Sequence, residues 1–288
     1  MSRDLGLTLA GGGNRTLYSL ALIERWWERL APRLAAAAGV SAGACMICLH
    51  VAGRAREARE FWHVRRREVV RNLDPARLLR GKSIAAHGDV YRDTLLYGLG
   101  GAGIDRVRAA PFPILILAAA PPKPVPAGLG TAIGFSAYNL EKKLRGEMVH
   151  PTFGRRLGFR PVVVDARACE SAEALTELIL ASSATPPFTP IGRYGGEALI
   201  DGGVIDNVPA FVAESVPAVA RNLVLLSRPY PPAVLGRKGP RLYLAPTRPT
   251  PVECWDYTRS DLADATHAMG EREASIHEPA LGRFLGDR

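Results

Sequence analysis

A serine flanked by glycines is the feature of this sequence best suited to nucleophilic chemistry. Residues 39–43 read Gly-Val-Ser-Ala-Gly, a G-x-S-x-G pattern between a short apolar run and a helical pattern. A strand that turns sharply into a helix exposes the serine hydroxyl, and Gly39 and Gly43 let neighbouring backbone approach closely. The pattern predicts either that Ser41 is a nucleophile or that the segment is an ordinary tight turn.

A glycine run near the start of the chain could bind negative charge. Residues 11–15 read Gly-Gly-Gly-Asn-Arg and also lie between an apolar run and a helical pattern. Consecutive backbone N–H groups in such a turn can bind a phosphate or an oxyanion. A nucleotide site is disfavoured: the run does not end in G-K-[S/T], and Thr16 stands where a dinucleotide fingerprint needs its third glycine.

An aspartate followed by two glycines supplies a candidate base. Asp201 ends the short apolar run Ala198–Ile200, and Gly202 and Gly203 follow it. A carboxylate at a strand end with open space beside it suits a general base, although a surface turn has the same pattern.

The elements that must position these residues are short apolar runs alternating with helical patterns. Leu5–Ala10 precedes the glycine run and Leu34–Val40 precedes the serine. Further runs lie at Pro111–Ala120, Arg160–Ala166, Ala198–Ile200, Asn222–Ser227 and Arg241–Ala245. Buried strands that alternate with helices are typical of a mostly parallel sheet covered on both faces. The sequence therefore predicts a single α/β domain over residues 1–288.

Composition excludes several classes of protein. The 288 residues are 47% hydrophobic and 23% charged, which is typical of a globular chain and not of a disordered one. The run Ile114–Ala120 is far shorter than the roughly 20 residues that span a bilayer. Four cysteines form no disulfide framework, and Cys45 and Cys48 suit helix packing better than zinc binding. With no signal-peptide pattern at the start, we expect a cytoplasmic protein.

Together, the three motifs resemble the patatin-like phospholipases. The order is G-G-G-x-R, then G-x-S-x-G about 30 residues later, then D-G-G far downstream. Residues 181–186 (Ala-Ser-Ser-Ala-Thr-Pro) and residues 207–209 (Asn-Val-Pro) match two further family segments. The resemblance covers residues 5–209 and implies a three-layer α/β/α fold, which the C-terminal part completes with sheet and helical cover.

The resemblance also implies a mechanism. Ser41 would attack an acyl ester as nucleophile and Asp201 would act as its base, with no histidine. The backbone N–H groups of Gly11, Gly12, Gly13 and Ala42 would form the oxyanion hole. The motif positions Arg15, Gly39, Gly43, Gly202 and Gly203 would support the site. Thr16 departs from the glycine usual in the family. Neither a metal nor a cofactor is expected, and the substrate would be a lipid or another acyl ester.

Other functions remain open at this point. An α/β-hydrolase would need a histidine after the aspartate, and His267 or His277 satisfies that order. However, that fold normally has more strands before its serine than the two that fit before Ser41. A thioesterase or an acyltransferase could use the same site. A lipid-binding or regulatory protein could keep the fold without hydrolysing anything.

The basic charge of the chain is concentrated in one region. Lys and Arg number 37 against 28 Asp and Glu, a formal net charge of +9. Arginines cluster at Arg54, Arg56, Arg59, Arg65, Arg66, Arg67, Arg71, Arg77 and Arg80. They form either a solvated helix face or, through the seven from Arg54 to Arg71, a peripheral contact with anionic membrane. No nucleic-acid partner is expected, since no recognition motif accompanies the charge.

Overall fold

A central sheet organises the chain in the computed structural model, which describes residues 3–123, 126, 128–134, 136, 141, 149–150 and 153–287. Within that part its nine strands are β1 Leu5–Leu9, β2 Leu34–Val40, β3 Ile114–Ala120, β4 Arg160–Asp165, β5 Gly192–Tyr194, β6 Glu197–Asp201, β7 Arg221–Leu225, β8 Gly236–Lys238 and β9 Arg241–Leu244. Their order is β5-β6-β3-β2-β1-β7-β9-β8, and β4 pairs with β3. The five central strands β3, β2, β1, β7 and β9 are parallel to one another.

Helices surround this sheet. They are α1 Leu17–Leu30, α2 Ala42–Val51, α3 Ala55–Arg65, α4 His87–Leu99, α5 Ala102–Arg108, α6 Phe153–Arg156, α7 Ala172–Ser182, α8 Gly203–Asp206, α9 Ala210–Ala213 and α10 Ser260–Leu285. Residues 128–134 are also helical. No helix formed by the described residues is long and apolar enough to cross a membrane.

The central strands β1, β2, β3, β7 and β9 are buried on both faces: successive side chains point to opposite sides of the sheet, and both sides are covered. Leu223 and Leu225 of β7 join the large core under α1, α2, α4, α7 and α10. Val224 joins the smaller core on the other face, where it packs with Val208 and Ala210. The prediction of a single α/β domain with a mostly parallel sheet and helices on both faces is confirmed.

The register of β3 brings two strand ends together. Val40, the last residue of β2, pairs with Leu117, and Asp201, the last residue of β6, pairs with Ala118. Residues 115–120 of β3 pair with β4 along one edge, so β2 and β6 must share the other edge. Since β2 is parallel and β6 antiparallel to β3, their carboxyl ends meet there. Two residues 160 positions apart in the chain, Ser41 and Asp201, are thereby brought to one place.

Candidate active site

Ser41 lies at a strained turn between β2 and α2. Its φ of +54° is the only positive φ of a non-glycine residue in the described part of the chain. Such a conformation costs about 1–3 kcal/mol and persists only where the surroundings impose it. A Cβ added at Gly39 or Gly43 would lie 2.6 Å from backbone atoms, so both positions need glycine. The serine therefore stands at the amino end of α2, close to its unpaired N–H groups.

Asp201 is a buried carboxylate beside that serine. Desolvation raises its pKa to about 6, while a hydrogen bond from the Gly203 N–H and an interaction with the Ser41 side chain oppose the shift. The Gly203 N–H donates to Oδ1 over 2.7 Å. With a pKa of about 6, Asp201 is ionised at neutral pH and can accept a proton, as a general base must.

Ser182 ties the serine turn to the aspartate strand. The Ser41 N–H donates to Ser182 Oγ over 2.8 Å, and that hydroxyl donates to the carbonyl of Leu117 over 2.6 Å. The Gly202 N–H donates to the Ser182 carbonyl over 3.2 Å. The Ala-Ser-Ser-Ala-Thr-Pro segment therefore has a structural role: Ser182 contacts the turn of Ser41 through its side chain and the residue after Asp201 through its backbone.

Two backbone N–H groups of the glycine run, those of Gly12 and Gly13, are free to bind an oxyanion, and Ala42 beside Ser41 adds a third. The N–H groups of Gly12, Gly13 and Ala42 have no hydrogen-bond partner among the residues that the structure describes. The Gly11 N–H, in contrast, donates to the Asn207 carbonyl over 3.0 Å. We therefore revise the prediction that Gly11 joins the oxyanion hole: its N–H is used to hold the loop.

Side chains from distant parts of the chain fix that loop. The Gly11 carbonyl accepts hydrogen bonds from Asn207 Nδ2 over 3.2 Å and from Ser227 Oγ over 2.6 Å. Arg15 Nε donates to the Gly12 carbonyl over 3.3 Å. Thr16, which departs from the family pattern, is buried and donates to the Gly13 carbonyl over 2.7 Å. The hydroxyl of Thr16 thus stabilises the turn that follows the glycines.

The segment around Cys254 closes the other side of the loop. The Asn14 N–H donates to the Cys254 carbonyl over 3.1 Å, and Asn14 Nδ2 donates to the Asp256 carbonyl over 2.7 Å. Any side chain at Gly13 would collide with the carbonyl of Cys254. Trp255 and Tyr257, which belong to none of the sequence motifs, also line the site.

A narrow apolar channel leads away from Ser41. Its volume is about 70 Å³. Ser41, Cys45 and Leu49 lie along it at four-residue spacing, which is one face of α2 and about 12 Å of helix length. The other lining residues include Leu17, Leu20, Met46, Ala58, Trp62, Tyr91, Trp255 and Tyr257.

A second, wider cleft of about 340 Å³ opens on the other side of Ser41. Asp201 and two arginines, Arg15 and Arg228, line it. Trp255 borders both spaces and stacks on Phe188 with ring centroids 4.8 Å apart. Ser41 therefore lies where an apolar channel meets a positively charged cleft.

The two histidines considered for a triad lie elsewhere. His267 contacts Glu24 over 2.7 Å, and His277 contacts the Tyr18 hydroxyl over 2.8 Å. Neither lines the channel or the cleft. The described residues also contain no group of three or more His, Cys, Asp or Glu suited to a metal ion.

Most of the arginines between 54 and 80 are engaged in contacts within the protein. Arg54 lies over the ring of Tyr97, Arg56 pairs with Glu60 over 3.0 Å, and Arg59 lines the channel. Arg65 pairs with Asp93 over 2.6 Å. Arg66 is buried and donates to the carbonyl of Tyr257 over 2.7 Å. Of the seven predicted membrane contacts, Arg67 and Arg71 remain exposed and outside any ion pair among the described residues.

Comparisons with known proteins identify the family and agree with the fold. A sequence model described as patatin-like phospholipase matches residues 7–214. Among solved structures, VipD from Legionella pneumophila is similar, with 12% identity and a TM-score of 0.50; the match covers 99% of this chain and 67% of VipD. Human GIVD cytosolic phospholipase A2 matches with 12% identity and a TM-score of 0.42 over 99% of this chain and 63% of its own. No curated protein sequence matches significantly. Because the family match spans well over half of the chain, the protein belongs to the patatin-like phospholipase family.

Proposed function

We propose that the protein is a lipid acyl hydrolase that uses Ser41 and Asp201 and forms an acyl-serine intermediate. The observation that carries the proposal is the position of Ser41: it lines a charged cleft together with the buried carboxylate of Asp201, and it also borders an apolar channel. Family membership supports lipid hydrolysis as the reaction class.

In the acylation step, Asp201 accepts the proton of the Ser41 hydroxyl as Oγ attacks the ester carbonyl carbon. The carbonyl oxygen becomes an oxyanion, and the free N–H groups of Gly12, Gly13 and Ala42 are the donors that would stabilise it. Loss of one such donor typically costs about 3 kcal/mol of transition-state stabilisation. As the tetrahedral intermediate collapses, the ester C–O bond breaks and the leaving alcohol takes the proton from Asp201.

In the deacylation step, Asp201 accepts a proton from water, whose oxygen attacks the acyl-serine. The fatty acid leaves, and Ser41 regains its proton from Asp201. A carboxylate whose pKa is about 6 can serve in both steps, because it is ionised at neutral pH and still basic enough to accept a proton.

The two spaces beside Ser41 support a lipid as substrate. An acyl chain would lie in the channel along Cys45 and Leu49, where burial of its methylene groups contributes about 0.8 kcal/mol each. The alcohol part would lie in the cleft, where Arg15 and Arg228 favour an anionic group such as a phosphodiester. We therefore favour a phospholipid over a neutral lipid. The four cysteines, all free, support a reducing compartment such as the cytoplasm.

A fluorophosphonate probe tests the proposal, because it reacts only with an activated serine. We expect labelling of the wild type at Ser41, none in Ser41→Ala, and strongly reduced labelling in Asp201→Asn. Ser215→Ala, which removes a hydroxyl that bonds within its own turn, is the matched control and should label like the wild type. A folded wild type that takes up no probe would instead favour a lipid-binding protein without activity.

A further inference from the structure

We propose that the surface formed by residues 64–82 docks the protein on an anionic lipid bilayer. Five large apolar side chains of this 64–82 surface are exposed to solvent. Their exposed fractions are 58% for Val64, 83% for Val70, 45% for Leu73, 56% for Leu78 and 90% for Leu79. They are five of the eleven large apolar side chains exposed among the described residues. Their concentration within residues 64–79, unlike apolar side chains scattered singly over a surface, indicates an interaction surface.

The charge of the 64–82 surface selects the kind of partner. Arg67, Arg71, Arg80 and Lys82 are exposed, and none has an ion pair within the described part of the chain. The acidic residues there are already engaged: Glu68 pairs with Arg65 over 2.7 Å, and Asp74 accepts a hydrogen bond from the Ala76 N–H over 3.1 Å. Cations beside apolar side chains match a bilayer with anionic headgroups, where lipid takes the apolar groups and phosphates take the charges.

The segment that follows this surface, residues 83–88, contacts one wall of the cleft. Ser83 Oγ donates to the Pro187 carbonyl over 3.1 Å, and the Gly88 N–H donates to the Phe188 carbonyl over 3.2 Å. On the other side, Asn72 Oδ1 accepts from the Tyr257 N–H over 2.9 Å. Phe188 and its stacking partner Trp255 line the cleft. A bilayer on the 64–82 surface would therefore lie next to the cleft. That a lipid enters through this cleft rests on the proposed function.

Co-sedimentation with vesicles tests the docking surface. Wild type is compared on vesicles of phosphatidylcholine alone and of phosphatidylcholine with an equal amount of phosphatidylglycerol. We expect at least about tenfold tighter binding to the mixed vesicles, and a loss of about 30-fold in Arg71→Gln/Arg80→Gln, from the usual contribution of a basic residue at an anionic surface. Leu78→Ser/Leu79→Ser should lose at least about tenfold.

Two variants on α10 are the matched controls. Ile276→Ser removes an apolar side chain that is 61% exposed, and Arg272→Gln removes an exposed cation. Both should bind vesicles like the wild type, and thermal unfolding checks that all variants are folded. Equal binding to both vesicle types, unchanged binding of the double variants, or an equal loss in the controls would overturn the proposal. So would a wild-type dimer that Leu78→Ser/Leu79→Ser converts to a monomer.

Turnover of a soluble short-chain ester, measured in parallel, separates this proposal from the proposed function. Double variants that lose vesicle binding but keep soluble-ester turnover support the docking surface. A wild type that hydrolyses the ester but ignores anionic vesicles overturns the docking surface alone. A wild type that binds anionic vesicles through these residues but hydrolyses nothing supports the surface and contradicts the proposed function.

Discussion

Ser182 Oγ accepts a hydrogen bond from the backbone N–H of Ser41, the one non-glycine residue with positive φ in the described part of the chain. The same hydroxyl donates to Leu117 of β3. The strained turn is therefore held by a side chain that comes from another element, 141 positions away.

Ser182→Ala should weaken both the fold and the activity. The substitution leaves the Ser41 N–H and the Leu117 carbonyl buried without this partner, and each such loss costs about 1–3 kcal/mol. We expect a lower unfolding midpoint and a lower kcat on a soluble p-nitrophenyl ester, with KM little changed. Urea unfolding and steady-state kinetics measure the two effects. Stability and kcat both equal to those of wild type would show that the turn does not depend on Ser182.

Asn207 gives a second prediction about positioning. Its side-chain amide donates to the Gly11 carbonyl, and its backbone carbonyl accepts from the Gly11 N–H. Asn207→Leu loses the side-chain contact and leaves the glycine loop less restrained. We expect kcat on the soluble ester to fall about tenfold or more, since a small misplacement of oxyanion donors is costly. A substitution that changed KM alone would indicate that Asn207 contacts substrate and does not hold the loop.

The pH dependence follows from the raised pKa of Asp201. Since Asp201 must be ionised to accept the Ser41 proton, kcat/KM should rise with pH through about 6 and level off above it. A profile measured with the soluble ester between pH 4.5 and about 8 tests this. An inflection near 4, the range of an ordinary carboxyl, would contradict the buried environment.

The raised pKa of Asp201 also makes the free energy of unfolding depend on pH. The folded-state pKa of about 6 lies above the ordinary 3.8, so the folded state binds the proton more tightly and stability falls as pH rises between these values. Above pH 6 the buried charge costs about 3 kcal/mol. Asp201→Asn should therefore unfold at a higher temperature than wild type at pH 7, while showing no gain at pH 3 and little activity at either. A variant less stable than wild type at pH 7 would contradict this sign.

Chain-length preference tests the channel. Met46 is partly exposed and lines the channel one turn beyond Ser41, so Met46→Trp should obstruct it without opening the core. We expect the ratio of kcat/KM for long-chain to short-chain p-nitrophenyl esters to fall at least about tenfold, from the loss of buried methylene groups. Met46→Leu is the control and should keep the wild-type ratio. An unchanged ratio in Met46→Trp would mean that the acyl chain lies elsewhere.

Much of the site follows from local sequence. Glycine at 39 and 43 around Ser41, between a strand pattern and a helix pattern, predicts the turn, and the structure has β2 and α2 there. The short run before Asp201 predicts a strand end, which β6 supplies. Local patterns suffice for these residues because the conformation depends on neighbours within a few positions.

The remainder depends on contacts that no local pattern contains. The Gly11 N–H donates to the carbonyl of Asn207, 196 positions away. The glycine run alone therefore does not show which of its N–H groups are free to bind an oxyanion. Trp255 and Tyr257 reach the site through a segment outside the motifs. Arg66 looked like a surface cation, but it packs on Trp62 and donates to a backbone carbonyl. Burial of a charged residue depends on partners that become neighbours only in the folded chain.

The central claim is that acyl transfer passes through Ser41. Rapid quenching of the wild type with a long-chain p-nitrophenyl ester, followed by mass spectrometry of the intact protein and its peptides, measures this most directly. We predict that the acyl group is attached at Ser41 in the wild type and that Ser41→Ala carries none. An acyl group on another residue, or ester turnover that persists in Ser41→Ala, would contradict the account.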